Sequence, residues 1–140
     1  HSRSTELFNA LQALFAAEKP TMDAHGLFIG TLMTTVGAQA TLIEPCIYWP
    51  DSHNAFHVRT VDADHLAKIG CPGENLASRA AADALKRKIA DTMRAHGAAN
   101  FQIGKFYTYR EGRDPIALAM LDAIKGQLDP KGLMNPGVLS

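Results

Sequence analysis

Tyr107, Tyr109 and Arg110 are the densest group of chemically able side chains in this sequence. In an extended segment, residues 107 and 109 share a face, so two phenol hydroxyls line one wall with a guanidinium at its end. The planar fork of an arginine suits a carboxylate, and a phenol can hold a developing oxyanion. The same pattern also fits an aromatic cross-strand pair beside a surface arginine. Lys105 either pairs with the carboxylate of a small-molecule substrate or decorates an exposed strand. His57 and Arg59 share a face if residues 55–61 are extended, and would then act as base and anion clamp; a surface strand accounts for them equally well. Tyr48 and Trp49 fit a core more readily than a binding platform.

Other chemistry is poorly served. His53 and His57 are four apart, a zinc spacing on a helix, but Pro50-Asp51-Ser52-His53-Asn54 reads as a turn, and no metal site is assigned. A dinucleotide pyrophosphate needs clustered backbone N–H groups, usually a Gly-rich loop before a helix. The 11 glycines are scattered and no G-x-G-x-x-G occurs. This chain is therefore not expected to hold a dinucleotide by itself.

Several elements must position these side chains. Ser4 or Thr5 caps a first helix with Leu7, Leu11, Leu14 and Phe15 on one face, and Pro20 is expected to stop it. Residues 21–36 fit either a short helix or a buried strand. The run from Ala38 to Trp49 reads as a strand whose Pro45 implies an edge or bulge, with residues 55–61 as its partner. Cys71-Pro72-Gly73 punctuates before a long helix from about Glu74 to His96, striped by Ala81, Leu85, Ile89 and Met93. His96-Gly97 closes it. Residues 100–109, NFQIGKFYTY, read as another strand broken by Gly104. Asp114-Pro115 opens the last helix as N-cap and N1, with Ile116, Met120 and Ile124 inward. The fold class is α+β: an antiparallel sheet with helices on one face, a ferredoxin-like arrangement, then a C-terminal helical segment.

The chain ends in Lys125-Gly126-Gln127-Leu128-Asp129-Pro130-Lys131-Gly132-Leu133-Met134-Asn135-Pro136-Gly137. Proline halts the helix and drives the residue before it toward extended geometry, which gives a rigid plug with Leu133 and Met134 as its buried pair. The pattern K-x3-DPxGLxNPG resembles the C-terminal signature of the FAD-linked oxidases, the flavoproteins of the vanillyl-alcohol-oxidase type. The similarity extends upstream through RAHGAANFQIGKFYTYR, covering about Glu74 to Val138, and more weakly residues 42–59.

That resemblance implies a fragment of a larger enzyme. Residues 1–140 would be its C-terminal substrate-capping region, and residues 114–138 a terminal helix and plug packed on an N-terminal FAD-binding domain. The complete protein would be an FAD-dependent oxidoreductase moving hydride from a 2-hydroxy acid such as D-lactate or glycolate to flavin; the fragment alone would be inactive. Tyr107, Tyr109, Arg110 and His57 would be catalytic, Arg59 and Lys105 would bind substrate, and Asn135 would reach the FAD. Oxidation of a 4-alkylphenol or aryl alcohol on the same flavin fold is an alternative, as is a free-standing ligand-binding or dimerisation module. Many 2-hydroxy-acid dehydrogenases of the family carry a metal-holding Glu-His-Gly where this chain has Asn100, Phe101 and Gln102, so the metal-assisted chemistry is not expected.

Composition agrees with an ordinary globular chain, 46% hydrophobic and 20% charged over 140 residues. Fourteen basic residues balance 14 acidic ones, so the basic excess of a nucleic-acid binder is missing. No apolar run has the length of a membrane span. Cys46 and Cys71 are too few for a disulfide framework and suggest a reducing compartment, the cytoplasm. His1-Ser2-Arg3-Ser4 does not read as a signal peptide. A homo-oligomer is left open by these features.

Overall fold

The computed structural model describes residues 2–102 and 104–138. Its elements are α1 (Ser2–His25), β1 (Phe28–Val36), β2 (Ala40–Tyr48), α2 (Ala55–Thr60), α3 (Ala63–Ile69), α4 (Leu76–Ala95) and α5 (Pro115–Leu128). Five helices and a two-stranded antiparallel sheet make it α+β. The chain divides into two compact units, His1–Thr92 and Met93–Ser140.

In the first unit, α1 begins before Ser4 and Thr5 and runs through Pro20, contrary to the stop expected there. Proline removes one helical hydrogen bond, but residues beyond it repay the loss. Met22 and Leu27 are buried with Leu7 and Leu11, so ending the helix at Pro20 would expose Met22. The helix ends at His25 instead. Leu27 N donates to Met22 O at 2.8 Å and Gly26 N to Asp23 O at 3.3 Å, with Gly26 at φ +64°. This is a Schellman closure, and its left-handed position needs a residue without Cβ.

β1, left ambiguous by its sequence, pairs with β2 in a register running from Phe28↔Tyr48 to Val36↔Ala40, with Pro45 opposite Thr31. Ile43 is the buried residue of β2, and Ala82, Leu85 and Ile89 of α4 are buried as well. The buried stripe of α4 is Ser78, Ala82, Leu85 and Ile89, one position along from the expected Ala81. Residues 55–60 form helix α2, with Val61 as its C-cap, rather than a partner strand, because Asn54 and His57 make a reciprocal capping box. Asp62 caps α3 by accepting from Asp64 N and His65 N.

Polar contacts fix the ends of these elements. Asp51 accepts from Ser52 N at 2.7 Å, Asn75 N at 3.1 Å, Trp49 Nε1 at 3.1 Å and Arg79 Nη2 at 2.9 Å. Asn75 Oδ1 takes Ser78 N at 3.0 Å, capping α4. The Ser78 hydroxyl then donates to His25 O at 2.8 Å, at the end of α1.

The second unit contains the C-terminal turn of α4, closed by the expected glycine. Ala98 N donates to Met93 O and Gly97 N to Arg94 O, with Gly97 at φ +71°. Residues 100–109 are bends and turns, not the expected strand; Ile103 lies outside the described residues. Strand propensity needs a neighbour to pair with, and here Arg113 takes the carbonyls of Asn100 and Tyr109 instead. α5 starts where expected, with Asp114 accepting from Ile116 N and Ala117 N. Ile116, Met120 and Ile124 are exposed rather than inward. The helix turns Leu118, Leu121 and Lys125 inward, while Asp122 is held by Arg110.

Two outcomes follow. Leu11, 1% exposed, has little room to collapse around a cavity, so Leu11→Ala should cost about 3 kcal/mol by chemical denaturation. The Asp51 carboxyl lies well below the usual carboxylate range, chiefly through Arg79, with Ser52, Trp49 and Asn75 adding to it against burial. A folded pKa below the unfolded value of about 3.9 gives stability that is complete above that value and is lost progressively as pH falls from there through the lower folded pKa. Acid titration monitored by the fluorescence of the single tryptophan, Trp49, should show loosening that begins below about pH 4. Asp51→Asn should be less stable at neutral pH and show a shallower acid limb.

Candidate functional site

Tyr107, Tyr109 and Arg110 sit in the loop between α4 and α5, all half-buried. Tyr109 N donates to Tyr107 O at 2.9 Å, so the two residues flank a tight turn and do not share a strand face. The Tyr107 ring stands edge-on to Phe106 at 5.7 Å. Arg113 lies over the Tyr109 ring, 4.7 Å from its centroid, a cation–π contact. Arg113 therefore holds the ring, the Tyr109 carbonyl at 3.3 Å and the Asn100 carbonyl together. Thr108 and Arg94 both reach Glu111, at 3.2 and 2.6 Å, and pin the far side of the loop.

Arg110 does have the geometry of a carboxylate clamp, and Asp122 of α5 fills it. Its two terminal nitrogens meet the two Asp122 oxygens at 2.9 and 2.6 Å. Each partner's charged state is favoured: Arg110 moves up and Asp122 down, mainly through their shared hydrogen bonds. Lys105 is exposed nearby in sequence.

The chain terminus is organised by Asp129. It is buried, and its oxygens accept from Leu133 N at 2.8 Å and Met134 N at 2.9 Å. Lys125, one turn earlier, donates to Asp129 and also to Met134 O at 2.6 Å. These contacts, Lys125 first, hold the Asp129 carboxyl below its ordinary pKa. The spacing Lys-x3-Asp-Pro is thus explained: both charged residues fold the following turn back onto the helix end. Leu133 and Met134, expected as a buried pair, are instead 74% and 58% exposed. The tie holds their backbone and no described part of the second unit covers their side chains. Asn135 takes φ +46°, a left-handed conformation that asparagine tolerates better than most residues, and its carbonyl receives Val138 N at 3.2 Å.

His57 and Arg59 belong to the first unit and lie on α2, not on an extended face. His57 Nδ1 accepts from Asn54 N at 3.2 Å, so a neutral ring there carries its proton on Nε2. Arg59 Nε donates to Ala55 O at 3.3 Å. Sequence reading missed Arg113, Asp122 and Asp129. The Lys125–Asp129 spacing was a readable signal, whereas the Arg110–Asp122 and Arg113–Asn100 contacts join residues too far apart for local pattern.

Residues 103–139 match the family model for FAD linked oxidases, C-terminal domain. The matched segment contains Tyr107, Tyr109, Arg110, α5 and the Asp129 tie. Comparison with curated proteins and with solved structures finds no match.

The family implies FAD, and the described residues can be tested for a pyrophosphate cradle. Asn54, Asp62, Asn75 and Asp114 already occupy the first N–H groups of α2, α3, α4 and α5. Those helix starts do not fit a flavin pyrophosphate, which requires free clustered donors. Among the described residues no group of three or more His, Cys, Asp or Glu side chains is placed to hold a metal ion.

Removing the anchor of the terminal tie tests its role. Asp129→Asn should abolish slow amide exchange at Leu133 and Met134, while protection in α4 stays unchanged. Lys125→Met should produce a smaller loss at the same two amides, since the direct acceptors remain.

Proposed function

We propose that this chain is the C-terminal, substrate-covering part of an FAD-dependent oxidoreductase that oxidises a 2-hydroxy acid of the D-lactate or glycolate type. The FAD would be held mainly by an N-terminal domain that is not part of this chain. The supporting observation is the family match over residues 103–139, whose terminal segment Asp129 folds so that Leu133 and Met134 are exposed for a second domain to cover. The flavin, when bound there, supplies the hydride acceptor; this chain supplies binding and orientation.

Arg110 is the carboxylate clamp in this reading. A substrate carboxylate would take the place of Asp122 in the same two-pronged contact. Tyr109, steadied by Arg113, and Tyr107 would offer phenol hydroxyls to the substrate oxygen, and Lys105 a second cation. His57 could accept a proton at Nε2 only after its capping bond opens and the ring changes tautomer. Arg59, on α2 of the first unit, is proposed as a substrate-binding residue, and Asn135, in the terminal turn, as a cofactor contact. The free cysteines Cys46 and Cys71 suit the reducing cytoplasm we assign to it. One observation favours the alternative substrate, a 4-alkylphenol or aryl alcohol: the Arg110 fork is already filled by Asp122, leaving the tyrosine hydroxyls as the polar groups of the loop.

The test is anaerobic stopped-flow reduction of FAD in the complete enzyme, with D-lactate and with 4-methylphenol. Reduction by the hydroxy acid alone supports the first reading, and reduction by the phenol alone the second. Arg110→Lys keeps the charge but loses the fork and should slow reduction by roughly two orders of magnitude. Tyr109→Phe should slow it as well, with little change in Tm. Near-normal rates in both variants would remove this cluster from the site.

A further inference from the structure

The helix α2 buries none of its six residues, and Phe56 and Val58 stand 64% and 62% exposed. A helix this short is marginal in water unless packing supports it. What holds α2 is therefore local. Asn54 Oδ1 accepts from Phe56 N and His57 N, both at 3.0 Å. Thr60 Oγ1 donates to Phe56 O at 2.8 Å and Arg59 Nε to Ala55 O at 3.3 Å. The return half of the capping box completes the set, Asn54 N donating to His57 Nδ1 at 3.2 Å.

That last acceptor differs in kind from the glutamate or glutamine usual at this position. An imidazole nitrogen accepts a hydrogen bond only while it carries no proton. With Nδ1 turned to Asn54 N, the neutral ring already holds its one proton on Nε2, so a second proton can enter only at Nδ1. Protonation then sets one donor against another, and the capping bond is lost. The surroundings offer no replacement. His53 stands edge-on to His57, ring centroids 6.1 Å apart, and adds like charge when it too is protonated. The Phe56 ring lies at 6.4 Å. Arg59, the cation on the same helix, is turned to Ala55 O, and the Cys71 sulfur takes His53 N at 3.4 Å. Asp51 and Asp62, the carboxylates on either side in sequence, are engaged by Arg79 and by the first amides of α3. Among the described residues no carboxylate pairs with His57.

We infer that α2 is a pH-sensitive segment, closed while His57 is neutral and opened when Nδ1 takes a proton. Helix formation and protonation compete for one atom, so the helix is fullest at high pH and is lost as pH falls. Histidine is the side chain whose charge changes between about pH 5 and 8, which places the switch in that range. Opening frees Arg59 from Ala55 O and releases the segment from Asn54 to Val61, whose N–H closes the helix on His57 O at 2.9 Å. α3 follows directly but takes its cap from Asp62, which leaves it outside the switch.

NMR on the 140-residue chain reads both halves of this device. Imidazole nitrogen shifts report the protonation of His57, and Cα shifts report the helix over residues 55–60. From about pH 8 to about pH 5 the helical population should decline in step with His57 protonation. The ratio of helical to open segment should fall roughly fivefold, the usual effect of losing a cap, while the shifts of α3 change little. His57→Gln supplies an acceptor that does not titrate, and residues 55–60 should then be equally helical at both ends of the range. His57→Ala should be as open at high pH as the wild type is at low pH. His53→Gln should keep the response, since the neighbouring ring is not the acceptor. Helical shifts that stay constant while His57 titrates overturn the proposal. A His57→Gln chain that still loses this helix in acid overturns it equally, since the proton then acts elsewhere.

Discussion

A carboxylate drawn partly out of water must find donors, and Asp51 gathers them from every element that meets near it. Trp49 donates from the end of β2, Ser52 from the following turn, and Asn75 and Arg79 from the start of α4. The contact with Asn75 carries further. Asn75 caps α4 at Ser78, and the Ser78 hydroxyl satisfies the carbonyl of His25 where α1 ends. One relay therefore fixes the end of a strand, the beginning of one helix and the end of another. It also sets the rotation of α4, because Ser78 belongs to the same buried stripe as Ala82, Leu85 and Ile89. The apolar core is small, and in small domains end-fixing contacts of this kind decide which packing is adopted.

The second unit takes the same device further with less core to support it. Every buried apolar side chain among the described residues belongs to the first unit, whereas the second buries Asp129. Its loop and tail are closed by charged contacts, Arg110 to Asp122 and Lys125 to Asp129. An ion pair open to water contributes little stability, so the exposed Arg110–Asp122 pair specifies shape more than it resists unfolding. Meanwhile Ile116, Met120, Ile124 and Leu128 form an exposed row at four-residue spacing, with Leu133 and Met134 beyond it. An apolar surface of that kind marks an interaction site. Under the proposed function, the flavin domain is what covers it.

What the sequence made legible was what depends on neighbours along the chain. The Asp114-Pro115 start of α5, the His96-Gly97 end of α4 and the β2 run all carry local signals strong enough to read. Pro20 misled because the forces that carry α1 past it lie elsewhere: the burial of Met22 and Leu27 and the closure at Gly26. Residues 55–61 misled because a cap made by asparagine and histidine is a rarer spelling of the capping box than serine and glutamate. Residues 100–109 have strand composition but no strand to pair with, and Arg113, several residues away, decides their course. At the terminus the turn was legible and the burial of Leu133 and Met134 was not, since burial depends on what lies opposite.

The pairing of Arg110 with Asp122 at first looks like an argument against a binding role. Its exposure argues the other way. The side chains of Arg110 and Asp122 are 39% and 56% accessible, so solvent screens their attraction and water can rehydrate Asp122 if it is displaced. A buried pair would resist exchange, because the released aspartate would be stranded without water. Asp122 keeps the guanidinium oriented, and under the proposed function an incoming carboxylate would displace it at modest cost. Arg113, meanwhile, restrains the neighbouring tyrosine ring independently of that exchange. The loop thus separates two tasks: one arginine keeps the wall in shape, and the other can change partners without disturbing it.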